Sequence, residues 1–552
     1  MTGSETFYEV KHRKRQPTPR GIEPRSPAWK AILMTTAPPK PAGESYCLPL
    51  FILFCYQVDA VSGRSYSYSQ LKNLTQRFSS ALVKRGFSKD DVLAIYLPNV
   101  LEYPIIFYGV AFLGGVSTTV NPLYSAKELD RQLRISGAKY VVTIPPLAEN
   151  AKDAAASTGV ASVIVLGEAP GCESLSSLLS DDGSAFPEHV QINTKEDVVA
   201  LPFSSGTTGL SKGVMMTHHN LVAGLVLLMD DNIFPDDAIV LNLLPFYHIY
   251  ALLCMMGGCL EAGCKLVLLS RFEPVSFLKA IQEYKVTDAP LVPPLILFLA
   301  KHPLVDKFDL SSVVRVNSGA APLGKELETA MLKRLPQVKR IRQGFGMTEL
   351  SGASHCTPFE GKTKSGSVGL LLPNLECKVV NPDTGEILGP NQDGEICVKG
   401  PLVMKGYINN PEATAKTIDS DGWLHTGDIG HYDKDEYFFI VDRLKELIKY
   451  KGFQVPPAEL EALLISHPNI DDVAVIGVPD PEAGELPKAF VVRRGDVTPE
   501  EIIEFVAKRV LPQKKLRGGV EFIEQIPKSP SGKILRRMLR NQEKERRREA
   551  KL

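Results

Sequence analysis

The sequence has no excess of charge of either sign, because 63 lysine and arginine residues balance 63 aspartate and glutamate residues. This balance gives no electrostatic reason to expect nucleic acid or a membrane surface as a partner. The sequence also lacks any apolar run near the ~18 residues that a membrane span requires. Leu48–Phe54 is too short and too far from the first residue for a signal peptide. We therefore predict no nucleic-acid partner and no transmembrane segment.

Paired cysteine motifs are missing as well. The nine cysteines include no CxxC pair, and three of them, Cys254, Cys259 and Cys264, lie in an apolar segment. No histidine or carboxylate cluster there completes a set of metal ligands, so we predict buried structural thiols rather than a metal site. The pattern suits a reducing compartment.

The chain is long enough to need more than one core. Its 552 residues exceed the usual size of a single domain. Residues 1–57 carry a basic run and many prolines, and we predict a disordered or atypical N-terminal segment there. A solvated tail is favoured over a nuclear-targeting signal. We also hypothesise that this segment is an aberrant start that leaves the following domain partly incomplete.

From residue 58 the pattern becomes that of a folded α/β domain. Ser67 and Gln70 form a capping box, and apolar residues then recur at helical spacing until Gly86. Buried strand patterns alternate with helical patterns up to about residue 380, which predicts parallel sheets covered by helices.

The last third of the chain reads differently. From Asn381 turn-rich segments separate short β-prone stretches, and a smaller α+β unit follows, with a helix opened by Thr498. We place the boundary at Asp442–Lys445. The predicted organisation is a large domain over 58–442, a small domain over 443–540 and a basic tail over 541–552.

A glycine- and hydroxyl-rich loop, Ser204–Gly213 (SSGTTGLSKG), carries the strongest chemical signal. Glycines let backbone N–H groups approach a polyphosphate, hydroxyls add donors and a lysine supplies positive charge. A kinase-type P-loop does not fit, because its lysine must be followed by Ser or Thr. A flexible linker explains neither the lysine nor the strand-like segment before it. The predicted phosphate-binding residues are Ser204, Ser205, Gly206, Thr207, Thr208, Gly209 and Lys212.

This loop, followed by THHN, resembles the phosphate loop of the acyl-adenylate-forming (AMP-binding) enzymes, in the branch with 4-coumarate–CoA ligases and beetle luciferases. The resemblance runs from about Asp59 to Leu539 and rests on several motifs in order. It implies an α/β fold: a large N-terminal domain of helix-covered parallel sheets plus a β-rich subdomain, and a small mobile α+β C-terminal domain.

Two further motifs match the family's nucleotide site. Gln343–Glu349 (QGFGMTE) resembles the adenine and magnesium segment, in which Glu349, with Thr208, is expected to hold Mg²⁺. In Trp423–Asp428 (WLHTGD), Asp428 matches the family's ribose-binding aspartate, and Arg443 matches a second ribose contact. The remaining nucleotide-binding residues that the resemblance implies are Gly344, Phe345, Gly346 and Thr348.

The resemblance also implies a moving domain that carries the catalytic lysine. Lys445 matches the hinge, and Lys449 and Gln454 match residues that face the active site in one domain orientation. Lys533, in PKSPSGK, matches the lysine that bridges the attacking carboxylate and the α-phosphate. A fixed cation there would offset the negative charge that builds up when an anion attacks a polyanion.

An acid pocket can be placed in the same way. In PFYHIYAL, His248 is expected to guard the approach of the thiol and Tyr250 to line the acid pocket. Coumarate ligases often carry lysine at the position of Asn317, so a fatty acid or another hydrophobic acid is as consistent with the sequence as a hydroxycinnamate. The other residues expected to line the acyl pocket are Gly319, Ala320 and Ala321.

The resemblance predicts an ATP-dependent acid–CoA ligase that uses ATP, Mg²⁺ and CoA on a small-molecule carboxylic acid. Three alternatives stay open: a luciferase-like oxygenase, an enzyme that loads a carrier protein, and a non-catalytic binding protein descended from a ligase. The final Ala550-Lys551-Leu552 resembles the peroxisomal address of which S-K-L is the usual form. We therefore expect a peroxisomal import receptor as partner and a peroxisomal location, with the cytoplasm as the alternative.

Overall fold

Strands and helices alternate along the chain, and the central strands of the large sheets run parallel, as the sequence predicts. The computed structural model of the chain describes residues 10–11, 55–204, 211–230, 233–235, 237–451, 453–529 and 532–549. Their strands form four sheets, two of nine strands and two of five. The predicted α/β class is confirmed.

The first nine-stranded sheet is parallel in its middle and ends on an antiparallel hairpin. Its central strand Val92–Ile95 lies between two strands that are almost completely buried, as expected for a sheet covered on both faces. In spatial order the strands are Phe203–Ser204, Lys212–Thr217, Val198–Ala200, Val116–Thr119, Val92–Ile95, Ala138–Thr143, Ser162–Val165 and Glu173–Ser174, with Gly406–Tyr407 beside Lys212–Thr217.

The second nine-stranded sheet is also parallel in its middle and antiparallel at its edges. Asp288–Leu291 and its neighbour Arg315–Ser318 are central and mostly buried. In spatial order the strands are Leu370–Leu371, Gly352–Cys356, Ile341–Met347, Arg315–Ser318, Asp288–Leu291, Ile239–Asn242, Lys265–Leu268, Cys55–Asp59 and Ser65–Ser67.

A five-stranded sheet forms the predicted β-rich part of the chain. Its order is Val10–Lys11, Glu376–Val380, Gly394–Lys399, Leu424–Tyr432 and Phe438–Arg443. The second five-stranded sheet belongs to the C-terminal part and consists of Phe453–Val455, Ile448–Tyr450, Gly484–Arg493 and Ile470–Asp480, with Val520–Phe522 beside Gly484–Arg493.

Helices cover the sheets and begin where local capping signals predict. Ser67 caps the first long helix through a capping box with Gln70, and Thr498 does the same with Glu501. The segment Tyr250–Gly257 is a π-helix, which the sequence did not predict. The described α-helices are Tyr68–Lys84, Tyr103–Phe112, Ala126–Ser136, Ala148–Ala155, Leu175–Leu179, His218–Asp230, Gly258–Ala262, Pro274–Tyr284, Pro293–Lys301, Lys325–Arg334, Pro411–Thr417, Pro457–Ile465, Pro499–Ala507 and Arg536–Glu549.

Two separate cores of buried apolar side chains lie on either side of the predicted domain boundary. One large cluster of buried side chains extends from Val58 to Phe438, and a separate cluster begins at Ile448. Between them lies the segment Asp442–Lys445, whose role as a hinge stays a prediction. In the part of the chain that the structure describes, no helix is long and apolar enough to cross a membrane.

Most of the atypical segment 1–57 lies outside the described residues, so the prediction of disorder is not addressed there. Two places within it are in strands: Val10–Lys11 pairs antiparallel with the strand Glu376–Val380, and Cys55–Asp59 pairs parallel with Lys265–Leu268. The sheet therefore starts a few residues earlier than the predicted boundary at residue 58. Cys254, Cys259 and Cys264 are buried free thiols.

Candidate active site

The predicted phosphate loop spans the end of an antiparallel hairpin. Phe203–Ser204 pairs with Lys212–Thr217, and Ser204 lies directly opposite Lys212. The loop ends are therefore held at a fixed separation by backbone hydrogen bonds. The predicted residues Ser205, Gly206, Thr207, Thr208 and Gly209 lie outside the described residues.

Glu349 joins three parts of the chain at the base of this hairpin. Its buried carboxylate accepts hydrogen bonds on Oε1 from the Ser204 hydroxyl at 2.7 Å and from the Tyr407 hydroxyl at 2.8 Å. The Lys212 ammonium lies 4.4 Å from the centre of the Tyr407 ring, a cation–π distance. Burial, and next the charge of Glu349, raise the pKa of Tyr407, so its hydroxyl stays a donor. Sequence reasoning missed Tyr407, because no local pattern marks it.

The predicted adenine segment is a strand in which a close neighbour requires glycine at position 346. Ile341–Met347 pairs with Gly352–Cys356, and a Cβ on Gly346 would lie 2.0 Å from the Gly352 carbonyl oxygen. A Cβ on Gly344 would meet its nearest atom, the His355 carbonyl oxygen, at 3.4 Å. Gly346 is thus fixed by packing. The Phe345 ring is buried against that of His355, with centroids 5.8 Å apart, and Thr348 opens the short turn that holds Glu349.

The two predicted ribose contacts face each other across a strand pair. Asp428 and Arg443 are register partners in the strands Leu424–Tyr432 and Phe438–Arg443, with Asp428 Oδ1 and Arg443 Nε 3.6 Å apart. Burial raises the pKa of Asp428 to about 6, against the opposite influence of Arg443 and Lys533. The carboxylate is ionised at neutral pH and can accept hydrogen bonds from hydroxyls.

Lys533 lies at the end of a loop closed on itself. The Ser529 N–H donates to the Lys533 carbonyl at 2.8 Å, and the Lys533 N–H donates to the Ser529 hydroxyl at 3.1 Å. Gly532, at φ +80°, packs so closely that an added Cβ would lie 3.1 Å from Val292 Cγ2. This contact docks the loop on the start of the helix Pro293–Lys301 in the N-terminal part.

The docked loop brings the Lys533 ammonium to the nucleotide residues. Burial is the main cause that lowers the pKa of Lys533, to about 8, followed by Arg443, while Asp428 and Glu349 oppose the shift. Lys533 in turn adds to the burial that lowers the pKa of His248. Four residues predicted from separate motifs, Lys533, Asp428, Glu349 and His248, are therefore gathered around one space.

Two contacts across the chain hold the C-terminal unit in this position. The Asp442 carboxylate accepts hydrogen bonds from the Arg443 N–H at 2.7 Å and the Ala458 N–H at 2.8 Å, so it ties the preceding sheet to the helix Pro457–Ile465. The Lys301 ammonium donates to the Ile465 carbonyl at 2.8 Å. Sequence reasoning had used Asp442 only as a boundary.

The predicted acyl-pocket residues converge beside this space. A Cβ on Gly319 would lie 3.2 Å from the Tyr250 ring, so glycine is needed for the ring to lie there. His248 Nδ1 accepts a hydrogen bond from the Tyr250 N–H at 3.3 Å, so the other ring nitrogen, Nε2, points away from the Tyr250 backbone. Asn317 is buried, and Ala320 has a left-handed backbone with φ +70° between Gly319 and Ala321.

The predicted hinge residue Lys445, and Lys449 and Gln454, which were predicted to face the active site in one domain orientation, are not gathered with the others. Lys449 and Gln454 are register partners on an exposed hairpin, where the Lys449 N–H donates to Glu485 Oε2 at 2.9 Å. Lys445 lies in the turn before this hairpin, where burial and Arg443 lower its pKa. The roles of all three belong to a different domain orientation and stay predictions.

The chain is similar to known proteins over most of its length. The chain matches the AMP-binding enzyme family over residues 53–408 and the AMP-binding enzyme C-terminal domain over residues 459–533. It is 47% identical over 494 residues to 4-coumarate–CoA ligase 1 of Petroselinum crispum, covering 88% of this chain and 90% of the relative. It is 44% identical over 513 residues to 4-coumarate–CoA ligase of Pinus taeda, covering 90% and 94%.

A solved structure shows the same fold at lower identity. ATP-bound MatB from Rhodopseudomonas palustris superposes with a TM-score of 0.81 at 28% identity, covering 88% of this chain and 95% of that one. The similarity extends through both parts of the chain.

Proposed function

Since the chain belongs to the AMP-binding enzyme family and is an acid–thiol ligase, we propose that it joins a hydrophobic or aromatic carboxylic acid to CoA through an acyl-adenylate. The observation that carries the proposal is the gathering of Lys533, Asp428 and Glu349 around one space. Each comes from a different motif, and together they supply a cation and two carboxylates beside the phosphate loop.

The first half-reaction transfers adenylate to the acid. A carboxylate oxygen of the acid attacks the α-phosphorus of ATP, the bond from that phosphorus to the bridging oxygen breaks, and pyrophosphate leaves. The Lys533 ammonium, held by its closed loop, offsets negative charge shared by the entering carboxylate and the α-phosphate. Asp428 accepts hydrogen bonds from the ribose hydroxyls, and Lys212 lies at the phosphate loop.

The second half-reaction transfers the acyl group to CoA. The thiol sulfur attacks the carbonyl carbon of the mixed anhydride, the carbon–oxygen bond to AMP breaks and the thiol proton passes to solvent. His248 has its pKa lowered by burial and by Lys533, so it is neutral where the thiol would approach. We propose that the C-terminal unit turns about Lys445 between the two half-reactions and so brings Lys449 and Gln454 to the site, a hinge movement of a common kind.

Glu349 fits the Mg²⁺ that this chemistry uses. Its carboxylate is buried, and both hydrogen bonds described here fall on Oε1, which suits a site with one protein carboxylate and substrate phosphates. When bound, Mg²⁺ would neutralise charge on the departing pyrophosphate. Thr208, the other predicted ligand, lies outside the described residues.

The proposed acid is a phenylpropanoid-type aromatic acid, with fatty acids as the second class. The names of the relatives support the first class. Asn317, a buried neutral side chain at a position where coumarate ligases often carry lysine, supports the second. The test is pyrophosphate release from a panel of cinnamic, hydroxycinnamic, benzoic and fatty acids, with and without CoA. Acid-dependent acyl-CoA is expected. Turnover of no acid would favour a non-catalytic binding protein, and light emission with luciferin would favour an oxygenase.

The pH dependence of adenylation should report Lys533. The ammonium is present below about pH 8 and is lost as the pH rises through that value, so kcat/KM for ATP should fall on the alkaline side. The variant Lys533→Arg, whose guanidinium stays charged, should retain some activity without this fall. The measurement is the initial rate of pyrophosphate release from both proteins between about pH 6 and pH 10. If the rate of Lys533→Arg falls at alkaline pH as that of the unaltered chain does, a group other than Lys533 causes the fall.

We also propose a peroxisomal location through an import receptor that reads Ala550-Lys551-Leu552, residues outside the described part of the structure. Sequence similarity to the S-K-L address supports it. A fluorescent protein fused before residue 1 should mark peroxisomes, and deletion of the last three residues should shift it to the cytoplasm. Peroxisomal signal that survives the deletion would contradict the proposal.

A further inference from the structure

A cluster of three different donor atoms lies in the β-rich sheet that also carries Asp428 and Arg443. Cys397 and His425 are register partners on the strands Gly394–Lys399 and Leu424–Tyr432. Glu395 lies two residues before Cys397, and a bulge between them lets both side chains reach His425. The donor atoms of Glu395, Cys397 and His425 all lie within 4.8 Å of one another.

The separations are close to those that a small metal ion imposes. Cys397 Sγ lies 3.5 Å from His425 Nδ1, and Glu395 Oε2 lies 2.9 Å from the same nitrogen. Tetrahedral zinc, with bonds of ~2.0–2.3 Å, places its ligand atoms about 3.3–3.6 Å apart. The sulfur–nitrogen distance already matches this value, and the oxygen–nitrogen distance needs only a small increase.

The surroundings orient His425 in the way that metal-binding histidines are oriented. Its Nε2 faces Asp419 Oδ2 at 3.5 Å, which fixes the ring and leaves Nδ1 toward Cys397 and Glu395. Asp419 is itself held by the Trp423 N–H at 2.9 Å and the Asp421 N–H at 3.0 Å. This outer support is independent of the three donors and is typical of metal sites.

Glu395 is held in a similar way, by the oxygen that does not face His425. Its Oε1 accepts the Gly427 N–H at 3.0 Å, which leaves Oε2 for the cluster. The carboxylate is largely buried, with 12% of its side-chain surface exposed, whereas 34% of the His425 side chain is exposed. The cluster therefore has fixed inner donors and an open side through which an ion and water can enter.

The charges around the cluster allow a divalent cation when the thiol is ionised. Glu395, Asp419 and a Cys397 thiolate are negative. Lys378 and Lys399 are the opposing charges, and their ammonium groups lie over the Trp423 ring at 4.4 and 5.8 Å from its centre. Because both ammonium groups lie over the Trp423 ring, neither takes the place of the metal ion between the three donor atoms.

We propose that Glu395, Cys397 and His425 bind a divalent cation of the zinc type, with a fourth position open to water. A thiolate, an imidazole and a carboxylate are the donors that Zn²⁺ prefers. On binding, the Cys397 thiol loses its proton to solvent as the metal–sulfur bond forms. His425 would bind through Nδ1, the nitrogen that faces Cys397 and Glu395.

This site is distinct from the proposed Mg²⁺ position at Glu349, which offers only oxygen. The three donors lie outside the phosphate-loop hairpin, in the sheet that also carries Asp428 and Arg443. His425 precedes Asp428 by three residues, so His425 itself is not used as a test position.

The test is titration of the full chain, treated with chelator, with Co²⁺ as a spectroscopic probe and with Zn²⁺ against a chromophoric chelator. One equivalent of Co²⁺ should give a thiolate charge-transfer band, and Zn²⁺ should displace it. Cys397→Ser should abolish the band and weaken Zn²⁺ binding more than about tenfold, and Asp419→Asn should weaken it about tenfold. Cys377→Ser, which removes a buried thiol from the neighbouring strand, is the matched control and should change neither.

Two results with Cys397→Ser would overturn the proposal. One is a charge-transfer band that survives in Cys397→Ser, which would place the ion on another thiol. The other is Zn²⁺ binding no tighter in the unaltered chain than in Cys397→Ser. If Cys397→Ser fails to fold, Glu395→Gln keeps the shape of the side chain and should weaken Zn²⁺ binding with the band retained. Unchanged affinity in Glu395→Gln would also contradict the assignment.

Discussion

Lys533→Ala is expected to slow adenylate formation about 10²-fold or more, since the transition state loses a fixed positive charge in a partly closed site. Formation of acyl-CoA from supplied acyl-AMP should change much less, because that step has no attack on a phosphate. The two half-reactions are measured separately, by single-turnover pyrophosphate release and by CoA acylation from the synthetic adenylate.

The control for this variant is Lys528→Ala. Lys528 lies in the same loop, but its ammonium pairs with Asp472 at 2.7 Å, and its removal takes away the same net charge. Adenylation by Lys528→Ala should stay within a few-fold of the unaltered chain. An equal loss in both variants, or an equal loss in both half-reactions of Lys533→Ala, would show that the loop acts structurally and not through the Lys533 ammonium.

Glu461→Ala is expected to destabilise the C-terminal unit by about 3 kcal/mol, the order of magnitude for breaking a buried ion pair. The Glu461 carboxylate accepts two hydrogen bonds from Arg536, at 2.7 and 2.8 Å, and one from the Val475 N–H at 2.8 Å. Its loss would leave the Arg536 guanidinium, with 14% of its side chain exposed, without this partner. Because Arg536 follows the Lys533 loop by three residues, adenylation should fall as well.

The measurement is native-state hydrogen exchange of the amides in the strand Ile470–Asp480, whose opening free energy should drop by that amount. Asp471→Ala is the control, because its pair with Arg494 is exposed, with 44% and 42% of the two side chains accessible, and such pairs contribute at most about 1 kcal/mol. Equal effects of the two variants would contradict the weight given to the buried pair.

Local signals in the sequence predicted local structure well. The capping box at Ser67 and the residue Thr498 begin helices as predicted, and the alternation of apolar runs gives parallel sheets. These features depend on residues three or four positions apart, so a single sequence contains them. The π-helix Tyr250–Gly257 is different, since nothing in its apolar sequence distinguishes it from an ordinary helix.

The site was predicted by resemblance, and its geometry needed the fold. The sequence places Glu349, Asp428 and Lys533 far apart along the chain, and only packing brings them together. For the same reason the sequence did not indicate Tyr407, which supports Glu349, or Glu461, which holds the segment after Lys533. Such partners come from distant segments and leave no local pattern.

The pKa shifts were equally out of reach of the sequence. Burial is the leading cause at Lys533 and at Asp428, and burial comes from the packing of distant segments, such as Gly532 against Val292 beside Lys533. From the sequence alone, a lysine in a basic C-terminal region is predicted to be exposed to solvent, and only this contact shows that it is buried. The predicted hinge at Lys445 and the residues Lys449 and Gln454 remain to be placed by a second domain orientation.

The central claim is that this chain activates a carboxylate as an adenylate before any thiol takes part. The most direct test is exchange of labelled pyrophosphate into ATP, measured without CoA and with an acid that the panel identifies. The account predicts exchange that requires the acid, proceeds in the absence of CoA and is lost in Lys533→Ala. Exchange that is independent of the acid, a strict requirement for CoA, or formation of ADP in place of AMP would contradict it.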